Sequence, residues 1–332
     1  MSGPLLSVVI PTYNRRARLL LVLQGLAAQS LPGEQFEAVV IDDGSSDGTA
    51  DWLESQAFPF ALRVLRQKNS GPAAARNKGI EAARAPIVLF IDDDVVPKPD
   101  LVREHVRMHA GEPRVAVIGP LLSLPRYSQP WVAWEQRKLE AQYQSIQKGE
   151  WKATFRQFWT GNASVPRDLL LEAGGFDVKL RRAEDVELAV RLALLGVQFR
   201  FNLAAAGVHH AERTLAAWSN MHRSYGLVEM TICRPLGVER GLNRLAHNWS
   251  VLRPVTRRLV ISCLGHPRTT AATVKALSAT IETARLLRME KMAYLGCSAL
   301  ANVLYWTGAA EAIGLNELHG VFQRTLVPDY SA

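Results

Sequence analysis

The chain has 332 residues, of which 48% are hydrophobic and 21% charged, and its formal net charge is +8. This length suits one large domain or two ordinary ones, and the composition is that of a globular protein rather than a disordered one. Cys233, Cys263 and Cys297 are widely spaced and form no C-x-x-C pair. This spacing argues against a disulfide framework and a cysteine zinc site, and it favours reduced thiols.

The first 122 residues alternate between short apolar runs and segments with helical spacing. Strands are predicted at 5–11, 36–42, 61–67, 86–92 and 114–122, and helices at 17–29, 48–56, 72–85 and 100–110. Short apolar runs separated by helical patterns indicate βαβ units, a parallel sheet and right-handed crossovers. The sequence therefore predicts an α/β fold.

After Leu122 the alternation stops. Residues 123–158 are polar but contain seven aromatic residues: Tyr127, Trp131, Trp134, Tyr143, Trp151, Phe155 and Phe158. Aromatic rings stack on sugars or cover lipid chains, which predicts a lid over a ligand, but packing between helices explains them equally well.

From Thr214 to about Leu326 the sequence has a mostly helical pattern. From Ala216 onward there are 13 lysines and arginines against 7 aspartates and glutamates, so the last third carries most of the net positive charge. This surplus favours an acidic partner, which leaves anionic lipid, a phosphorylated acceptor and nucleic acid open. The basic, apolar stretch 240–260 fits a helix on anionic lipid or a solvated helix face.

Residues 292–310 contain no charge and are long enough to span a bilayer, but they are only mildly apolar. A packed helical hairpin is the favoured interpretation, and a membrane-surface helix and a transmembrane helix are the alternatives. The N-terminal segment has neither a basic region nor a long apolar run, so a cleaved signal peptide is not expected. We expect a cytoplasmic protein that associates peripherally with the inner face of the membrane.

Polar residues follow the predicted strands, where ligands of a parallel sheet bind. Residues 11–14 follow the first strand, Asp42 and Asp43 end the second, and Asp92, Asp93 and Asp94 end the fourth. Pro72 suits the first position of a helix whose free N–H groups favour an anion. Several polar groups are therefore expected to meet at one edge of the sheet.

The three consecutive aspartates indicate a cation site, because like charges this close repel one another and burial of unpaired carboxylates is costly. On a strand end, Asp92 and Asp94 should point to one side, about 7 Å apart, and Asp93 to the other. Oxygen ligands of this kind suit Mg²⁺ or Mn²⁺ bridging carboxylates and a diphosphate. An Asx-rich turn before Pro97 is the alternative.

Six segments occur in an order that resembles family 2 glycosyltransferases with the GT-A fold. They are SVVIPTYNR, VVIDDGSSDGT, NSGPAAARNKGI, FIDDDVVPKP, TGNASVPRDLLLEAGGFD and EDVELAVRLALLG. The resemblance covers about Leu6 to Glu212. It implies a Rossmann-like, mostly parallel sheet flanked by helices in a domain at 1–213, followed by a mainly α-helical extension at 214–332. It also implies a nucleotide-sugar donor and inversion at the anomeric carbon.

The resemblance also implies roles for donor-side residues. Pro11, Tyr13 and Asp43 would line the nucleoside pocket, Asp92 would approach the ribose, and Asp94 would bind the divalent metal. The resemblance places three further residues at the donor site without a defined role: Arg76, Asn77 and Asp93, the last at a position that varies in type.

Glu184 and Asp185 match the ED motif of the family. The resemblance implies that this motif holds the catalytic base, because inversion by direct displacement needs a carboxylate that deprotonates the acceptor hydroxyl. Asp185 would be this base and Glu184 the alternative, although acidic residues in a first helical turn also simply favour a helix N-terminus. His210, or alternatively His209, would complete the metal shell.

The aromatic segment 123–158 departs from the compact family core, and in such an enzyme it would form the acceptor-side lid or would pack between helices. The segment that faces the acceptor in relatives includes Trp159, Gly161 and Asn162. Arg181 and Arg182 precede the ED motif and would meet an acidic acceptor or the donor phosphates. The remaining six histidines are expected to be structural: His105, His109, His222, His247, His266 and His319.

The predicted function is metal-assisted, inverting transfer of a sugar to an acceptor hydroxyl, in glycan, polysaccharide or glycoconjugate biosynthesis. UDP is the favoured nucleotide, with GDP and dTDP open, and the acceptor is a glycan, a lipid-linked intermediate or another hydroxyl compound.

The alternatives are a sugar-nucleotide nucleotidyltransferase, which would need a Gly-rich triphosphate loop, and a non-catalytic nucleotide-sugar-binding module, which would be expected to lose Asp94 or Asp185. A dinucleotide oxidoreductase and a P-loop NTPase are disfavoured, because neither G-x-G-x-x-G nor Walker A is present. No nucleic-acid partner is expected.

Overall fold

A computed structural model describes residues 3–324, so residues 1, 2 and 325–332 lie outside the described residues. The described residues form two compact units. The first unit combines the chain up to Pro125 with Leu139–Ala211, and the second combines Arg126–Lys138 with the chain from Glu212 onward. The division at 213/214 remains our proposal for the functional parts, and the segment 123–158 is shared between the two units.

Ten strands occur in the first unit. They are β1 (Leu6–Thr12), β2 (Phe36–Asp42), β3 (Ala61–Arg66), β4 (Ile87–Ile91), β5 (Val95–Pro97), β6 (Val115–Ile118), β7 (Leu121–Leu122), β8 (Asn162–Pro166), β9 (Gln198–Phe201) and β10 (Gly207–His209). Seven of them form one sheet in the order β3-β2-β1-β4-β8-β6-β9, and the other three form a small sheet in the order β5-β10-β7.

The large sheet is mostly parallel, as predicted. Strands β3, β2, β1 and β4 are parallel neighbours, and β6 is parallel to β9, whereas β8 runs antiparallel to both β4 and β6. Val8, Val9 and Ile10 of β1 are all buried, so this central strand is covered on both faces. Such strands have continuous apolar runs instead of alternation, which is why the sequence revealed them.

Helices α1–α4 connect the early strands, and helices dominate the second unit. The thirteen helices within residues 3–324 are α1 (Arg16–Ala27), α2 (Thr49–Glu54), α3 (Pro72–Ala82), α4 (Leu101–His109), α5 (Pro130–Gln147), α6 (Arg167–Glu172), α7 (Glu184–Leu194), α8 (Leu215–Cys233), α9 (Val238–Ser250), α10 (Pro254–Cys263), α11 (Pro267–Leu286), α12 (Glu290–Ile313) and α13 (Leu315–Gln323). The predicted α/β alternation and the helical C-terminal region are confirmed, while the predicted end near Leu326 lies outside the described residues.

Most aromatic side chains of 123–158 are part of the core. Trp131 and Trp134 are buried in the second unit, where Trp134 meets Trp218 edge to face. In the first unit the Tyr143 ring stacks on Phe201 with 5.1 Å between centroids. Phe155 and Phe158 are buried there too, whereas Trp151 is exposed. Core packing therefore accounts for most of these residues, and their rings are not available for a lid.

The uncharged segment 292–310 lies within α12 as one continuous helix, not as a hairpin. Leu300, Val303 and Trp306 of this helix are buried in the second unit. The apolar side of α9 is buried in the same core, so the apolar residues of 240–250 face inward. Among the helices of residues 3–324, none combines the length and the apolar content that a membrane-spanning segment needs.

The crossing of α8 and α12 has no room for a side chain at Gly226. A Cβ added there would lie 1.9 Å from the Tyr305 carbonyl oxygen, and backbone cannot give way as a flexible side chain can. Gly226→Ala should therefore destabilise the helical unit by about 1–3 kcal/mol or more, measured by urea unfolding of the full chain.

Gly320→Ala is the matched control for this substitution. Gly320 is inside α13, and a Cβ added there meets no atom within 4 Å. Alanine should stabilise this exposed helix position by about 0.5–1 kcal/mol. Equal effects of the two substitutions would contradict the close approach at Gly226.

Candidate functional site

The carboxyl ends of β1, β2 and β4 lie side by side because these strands are parallel and adjacent. The chain leaves β1 at Thr12, β2 at Asp42 and β4 at Ile91. The polar residues that follow these ends are thus brought to one edge of the sheet, as the sequence predicted.

The three aspartates lie beyond the strand, and their predicted alternation is wrong. β4 ends at Ile91, and the chain then turns into β5, so the two-residue period of a strand no longer applies. Asp92 accepts a hydrogen bond from Arg76 at 2.7 Å. Asp93 and Asp94 instead share one partner, the Nη1 atom of Arg15, at 3.0 Å each.

Asp93 is the most buried acid of the three. Burial raises its pKa to about 6, and the neighbouring charge of Asp94 adds to this shift, while Arg15 and the Thr12 hydroxyl oppose it. Thr12 Oγ1 donates to Asp93 at 2.8 Å. Asp93 therefore connects the end of β1 to the turn formed by Asp92, Asp93 and Asp94, called the aspartate turn below, which is a structural role.

Arg76 connects the aspartate turn to the ED motif. Its Nη2 donates to Asp92 and its Nη1 donates to Glu184 at 2.9 Å, from a guanidinium that is almost completely buried. The Arg76 Nε is buried without a hydrogen-bond partner among the described residues. A buried arginine paired with two carboxylates holds both in fixed positions.

Glu184 and Asp185 have different surroundings although they are adjacent. The Glu184 carboxylate is bound to Arg76, whereas Asp185 accepts a hydrogen bond from the Val186 N–H at 2.8 Å. Burial and the charge of Glu184 raise the pKa of Asp185 to about 7, against the opposing effect of Arg76. A carboxylate with a pKa near neutrality is suited to accept a proton from a substrate.

The backbone before the ED motif is strained. Ala183 has φ 58° and ψ 22°, a left-handed conformation that residues with a Cβ rarely adopt. It lies directly at the start of α7 and sets the direction in which Glu184 and Asp185 leave the preceding loop. Strain of this kind often occurs at functional sites, where the surrounding structure fixes it.

His209, not His210, has its ring beside the aspartates. His209 pairs with Val95 across β10 and β5, and its Nε2 lies 3.6 Å from Asp94 Oδ1. His210 contributes its backbone: its N–H donates to the Asp94 carbonyl, and its own carbonyl accepts from Arg18. The alternative assignment, His209, therefore fits a ligand next to Asp94 better than His210 does.

The donor set around Asp94 fits a divalent ion that a substrate helps to bind. No three histidine, cysteine, aspartate or glutamate side chains of residues 3–324 come together as a ready metal site. Mg²⁺ and related ions, however, commonly use one or two carboxylates, several waters and the phosphates of the substrate. Asp94 and the His209 ring would supply the protein ligands of such an ion.

The residues predicted to line the nucleoside pocket differ in their exposure to solvent. Tyr13 directly follows the last residue of β1 and is 48% exposed, and Pro11 of the same strand is partly buried. Asp43 is buried, and it accepts hydrogen bonds from Gln67 and from the Ser70 and Gly71 N–H groups at 2.7–2.9 Å. Asp43 thus fixes the loop that enters α3.

Asn77 fastens the loop that precedes the ED motif. Its amide nitrogen donates to the Phe176 carbonyl at 2.9 Å, and its oxygen accepts from the Phe176 N–H at 2.7 Å. Gly175 has φ +69°, and a Cβ there would lie 2.6 Å from the Asn77 oxygen. These contacts give Asn77 a role that was not predicted from the sequence, which is to position the turn at Gly174, Gly175 and Phe176.

Of the three residues expected on the acceptor side, Asn162 is in the core. Its amide nitrogen donates to the carbonyls of Pro120 and Ala205, and its oxygen accepts from His105 Nε2. All of its polar atoms are therefore used inside the protein. Trp159 is partly exposed, and Gly161 lies against Asp92, where an added Cβ would be 3.2 Å from a carboxylate oxygen.

The partner of Asn162 is a buried, neutral histidine. Burial lowers the pKa of His105 to about 3, although the hydrogen bond to Asn162 opposes this shift. Since the Asn162 oxygen only accepts, His105 Nε2 carries the proton and Nδ1 accepts from Ser164 at 2.8 Å. His105 is thus structural, as expected.

Sequence reasoning missed Thr12 and Arg15. Both are in the segment SVVIPTYNR, which identified the first strand, but a single sequence does not show that their side chains reach residues about 80 positions later. The only available signal was their position: Thr12 ends a strand and Arg15 precedes a helix at the edge where ligands are expected.

The family model of "Glycosyl transferase family 2" matches residues 7–173. The chain is 34% identical over 232 residues to a validoxylamine A glucosyltransferase of Streptomyces hygroscopicus subsp. limoneus, which is 62% of this chain and 51% of that protein. It is 32% identical over 242 residues to a pre-mycofactocin glycosyltransferase of Mycobacterium tuberculosis strain CDC 1551 / Oshkosh, which is 68% of this chain and 47% of that protein. The chain spans about half the length of these curated relatives.

Two solved structures share the fold. S. aureus TarS 1-349 in complex with UDP-GlcNAc superposes with a TM-score of 0.57 at 18% identity, covering 92% of this chain and 90% of that one. The mannosyltransferase PcManGT from Pyrobaculum calidifontis, in complex with GDP-Man and Mn²⁺, superposes with a TM-score of 0.54 at 22% identity, covering 95% and 88%. The family match and this shared architecture establish that the chain belongs to glycosyl transferase family 2 and has a GT-A fold.

Proposed function

We propose that this protein transfers a sugar from a nucleotide diphosphate donor to an acceptor hydroxyl, with inversion at the anomeric carbon. The supporting observation is the buried Arg76, which bonds Asp92 of the aspartate turn and Glu184 of the ED motif at once. Through Arg76, the proposed donor site and the proposed base are parts of one site. UDP is our favoured nucleotide. One of the two solved structures with this fold holds UDP-GlcNAc and the other GDP-Man, so both UDP and GDP are included in the binding experiment below.

In this proposal, Asp185 is the general base. Its raised pKa makes it a stronger base than an ordinary aspartate, and Glu184 is unavailable because it is paired with Arg76. Asp185 accepts the proton of the acceptor hydroxyl as the oxygen attacks the anomeric carbon and the bond to the diphosphate breaks. The direct displacement with one base gives inversion.

On the donor side, the exposed Tyr13 ring and Pro11 would contact the nucleoside, and Asp43 would shape its pocket. Asp92 would approach the ribose, and Asp94 with the His209 ring would hold Mn²⁺ or Mg²⁺. When bound, such an ion supplies positive charge to the departing diphosphate. Trp159 and Gly161 remain our proposed acceptor-side residues.

The exposed pair Arg181 and Arg182 precedes the proposed base and would contact an acidic group of the acceptor. The acceptor itself is proposed as a glycan, a lipid-linked intermediate or another hydroxyl compound, with no nucleic acid.

Titration calorimetry tests the donor assignment directly. UDP, GDP and dTDP are each titrated into the protein with and without Mn²⁺, and one nucleotide should bind in a metal-dependent way. Asp94→Ala should abolish the metal dependence, because it removes the proposed ligand. Asp168→Ala, at an exposed aspartate of α6, is the control and should bind like the unmodified protein. If well-folded protein binds none of the three, the proposed donor site is wrong.

We also propose peripheral association with the inner face of the cytoplasmic membrane. Leu286, the last residue of α11, is 72% exposed, Leu287 in the turn that follows is 64% exposed, and Leu295 of α12 is 61% exposed. Arg288 and Lys291 are exposed within the same stretch. Exposed apolar residues among cations fit an anionic lipid surface.

The membrane proposal predicts sedimentation of the protein with vesicles that contain phosphatidylglycerol, and less with pure phosphatidylcholine. The double substitution Leu286→Ser, Leu287→Ser should weaken binding, whereas Val238→Ser, at an exposed position of α9, should not. Equal sedimentation of all three proteins, or of none, would count against this surface.

A further inference from the structure

Arg15 lies between two carboxylates of the aspartate turn. Its Nη1 is 3.0 Å from Asp93 Oδ1 and 3.0 Å from Asp94 Oδ2. The two carboxylate side chains are only 8% and 10% exposed, but the Arg15 side chain is 43% exposed. A solvent-accessible cation thus covers a pair of almost buried anions.

This arrangement answers a charge problem. Asp93 and Asp94 are adjacent and buried, and their mutual repulsion would be costly without a positive partner. The Thr12 hydroxyl compensates only Asp93, and the His209 ring is 3.6 Å from the other oxygen of Asp94. Arg15 is therefore the cation that both carboxylates share.

A divalent ion would need the same carboxylate. An ion held by Asp94 and His209 would share the Asp94 carboxylate with Arg15, whose Nη1 lies at hydrogen-bond distance from Oδ2 while the His209 ring faces Oδ1. The two cations repel each other, so the guanidinium in this position opposes binding of the ion. When an ion binds without a nucleotide, the displaced Arg15 guanidinium loses its carboxylate contacts and gains only hydrogen bonds to water.

A donor diphosphate changes this balance. Guanidinium groups bind phosphate oxygens with two parallel hydrogen bonds, and such charge-assisted contacts are strong. The exposed Arg15 side chain is free to turn toward a ligand that arrives at the lip of the sheet. The ion then binds carboxylates that Arg15 has left.

We propose that Arg15 is a counter-ion of the Asp93–Asp94 pair in the donor-free protein and that it moves to the donor diphosphate when a divalent ion binds. This inference rests on the proposed function for the nature of the donor. It makes the ion and the nucleotide bind synergistically, so that either one alone binds weakly. Arg15 is accordingly a positioning residue that couples two ligands.

The chain offers a matched control one position later. The Arg16 guanidinium lies over the Trp52 ring at 5.1 Å and has no contact with the aspartate turn. Arg15→Gln and Arg16→Gln change the net charge equally, so a difference between them reports the local contact and not the overall field.

The test measures Mn²⁺ binding without nucleotide, by the loss of the free-ion signal in electron paramagnetic resonance. Arg15→Gln should bind Mn²⁺ about tenfold more tightly than the unmodified protein, because the competing guanidinium is gone. Calorimetry with UDP should then show that the gain in nucleotide affinity caused by Mn²⁺ falls by about tenfold in Arg15→Gln. Arg16→Gln should match the unmodified protein in both measurements.

Unchanged Mn²⁺ affinity in folded Arg15→Gln, verified by circular dichroism, would overturn the counter-ion role. If that variant does not fold, Arg15→Lys replaces it: the ammonium lacks the planar fork, so the synergy should again decrease, and full synergy would refute the proposal. Failure of the proposed function has a different signature, which is that the unmodified protein binds no UDP, GDP or dTDP at any Mn²⁺ concentration. In that case tighter Mn²⁺ binding by Arg15→Gln would still support the counter-ion contact.

Discussion

Asp185→Asn should lower kcat by about 10²–10⁴-fold, the range that a positioned general base contributes. Asparagine keeps the size of the side chain and can still accept from the Val186 N–H, but it cannot take up a proton. Nucleotide affinity, measured by calorimetry, should change little because the substitution removes only the base. A separation of kcat from nucleotide binding distinguishes a catalytic group from a structural acid.

The pH dependence of the unmodified enzyme provides a second measurement. The pKa of Asp185 is about 7, so the fraction of ionised base falls as the pH drops through 7. The rate of sugar transfer should therefore decrease about tenfold per pH unit below that value, until another group titrates. A rate that stays constant from pH 7 down to pH 5 would show that Asp185 is not the base.

Asp185 also affects stability, and here the pH dependence has the opposite sign: activity is lost as the pH falls, whereas stability is lost as the pH rises. The folded pKa of Asp185 is raised from 3.8 to about 7, so between these values the folded state binds more protons than the unfolded state. Its contribution to stability is therefore lost as the pH rises through that window. Asp185→Asn removes this partly buried charge, and it should raise the melting temperature at pH 8 relative to the unmodified protein.

Glu187→Gln is the control for the Asp185 experiments. Glu187 is in the same first turn of α7, but its carboxylate pairs with Arg191 at 2.6 Å. This exchange should leave kcat nearly unchanged. If it reduces kcat as much as Asp185→Asn does, the two acids act through the helix N-terminus and not through proton transfer.

Local pattern was enough to predict the framework of the site. The apolar runs of β1, β2 and β4 identified three parallel strands, and topology then required the residues after Thr12, Asp42 and Ile91 to meet at one edge. That inference needs no knowledge of side-chain contacts. It was therefore correct that these residues lie at one edge of the sheet, although the expected alternation of Asp92, Asp93 and Asp94 was wrong.

Partners were not predictable because they depend on long-range geometry. Arg76 reaches Glu184 across 108 positions, and the antiparallel strand β8 enters the sheet from a segment without a clear strand pattern. The choice between His209 and His210 depended on the small sheet, whose three strands have only two or three residues each. Strands this short have no periodicity to detect.

Arg76→Met should destabilise the first unit by about 3–5 kcal/mol, the cost of breaking a buried ion pair by removing one partner. Methionine roughly keeps the length and the apolar contact with the Phe176 ring, which lies 5.7 Å from the guanidinium. What it removes is the charge between Asp92 and Glu184. Urea unfolding of the full chain measures the loss, with Lys78→Met on the same helix as the control, expected to change stability by at most about 0.5 kcal/mol.

The double variant Arg76→Met, Glu184→Gln separates charge from shape. If the cost of Arg76→Met comes mainly from unpaired buried carboxylates, neutralising Glu184 should restore part of the lost stability. Activity should not return, because Asp92 and the ED motif would no longer be linked through one guanidinium. Additive losses in the double variant would instead mean that Arg76 acts mainly by packing. In that case the two carboxylates would not depend on it for their positions, and the proposed connection between the donor site and the base would be lost.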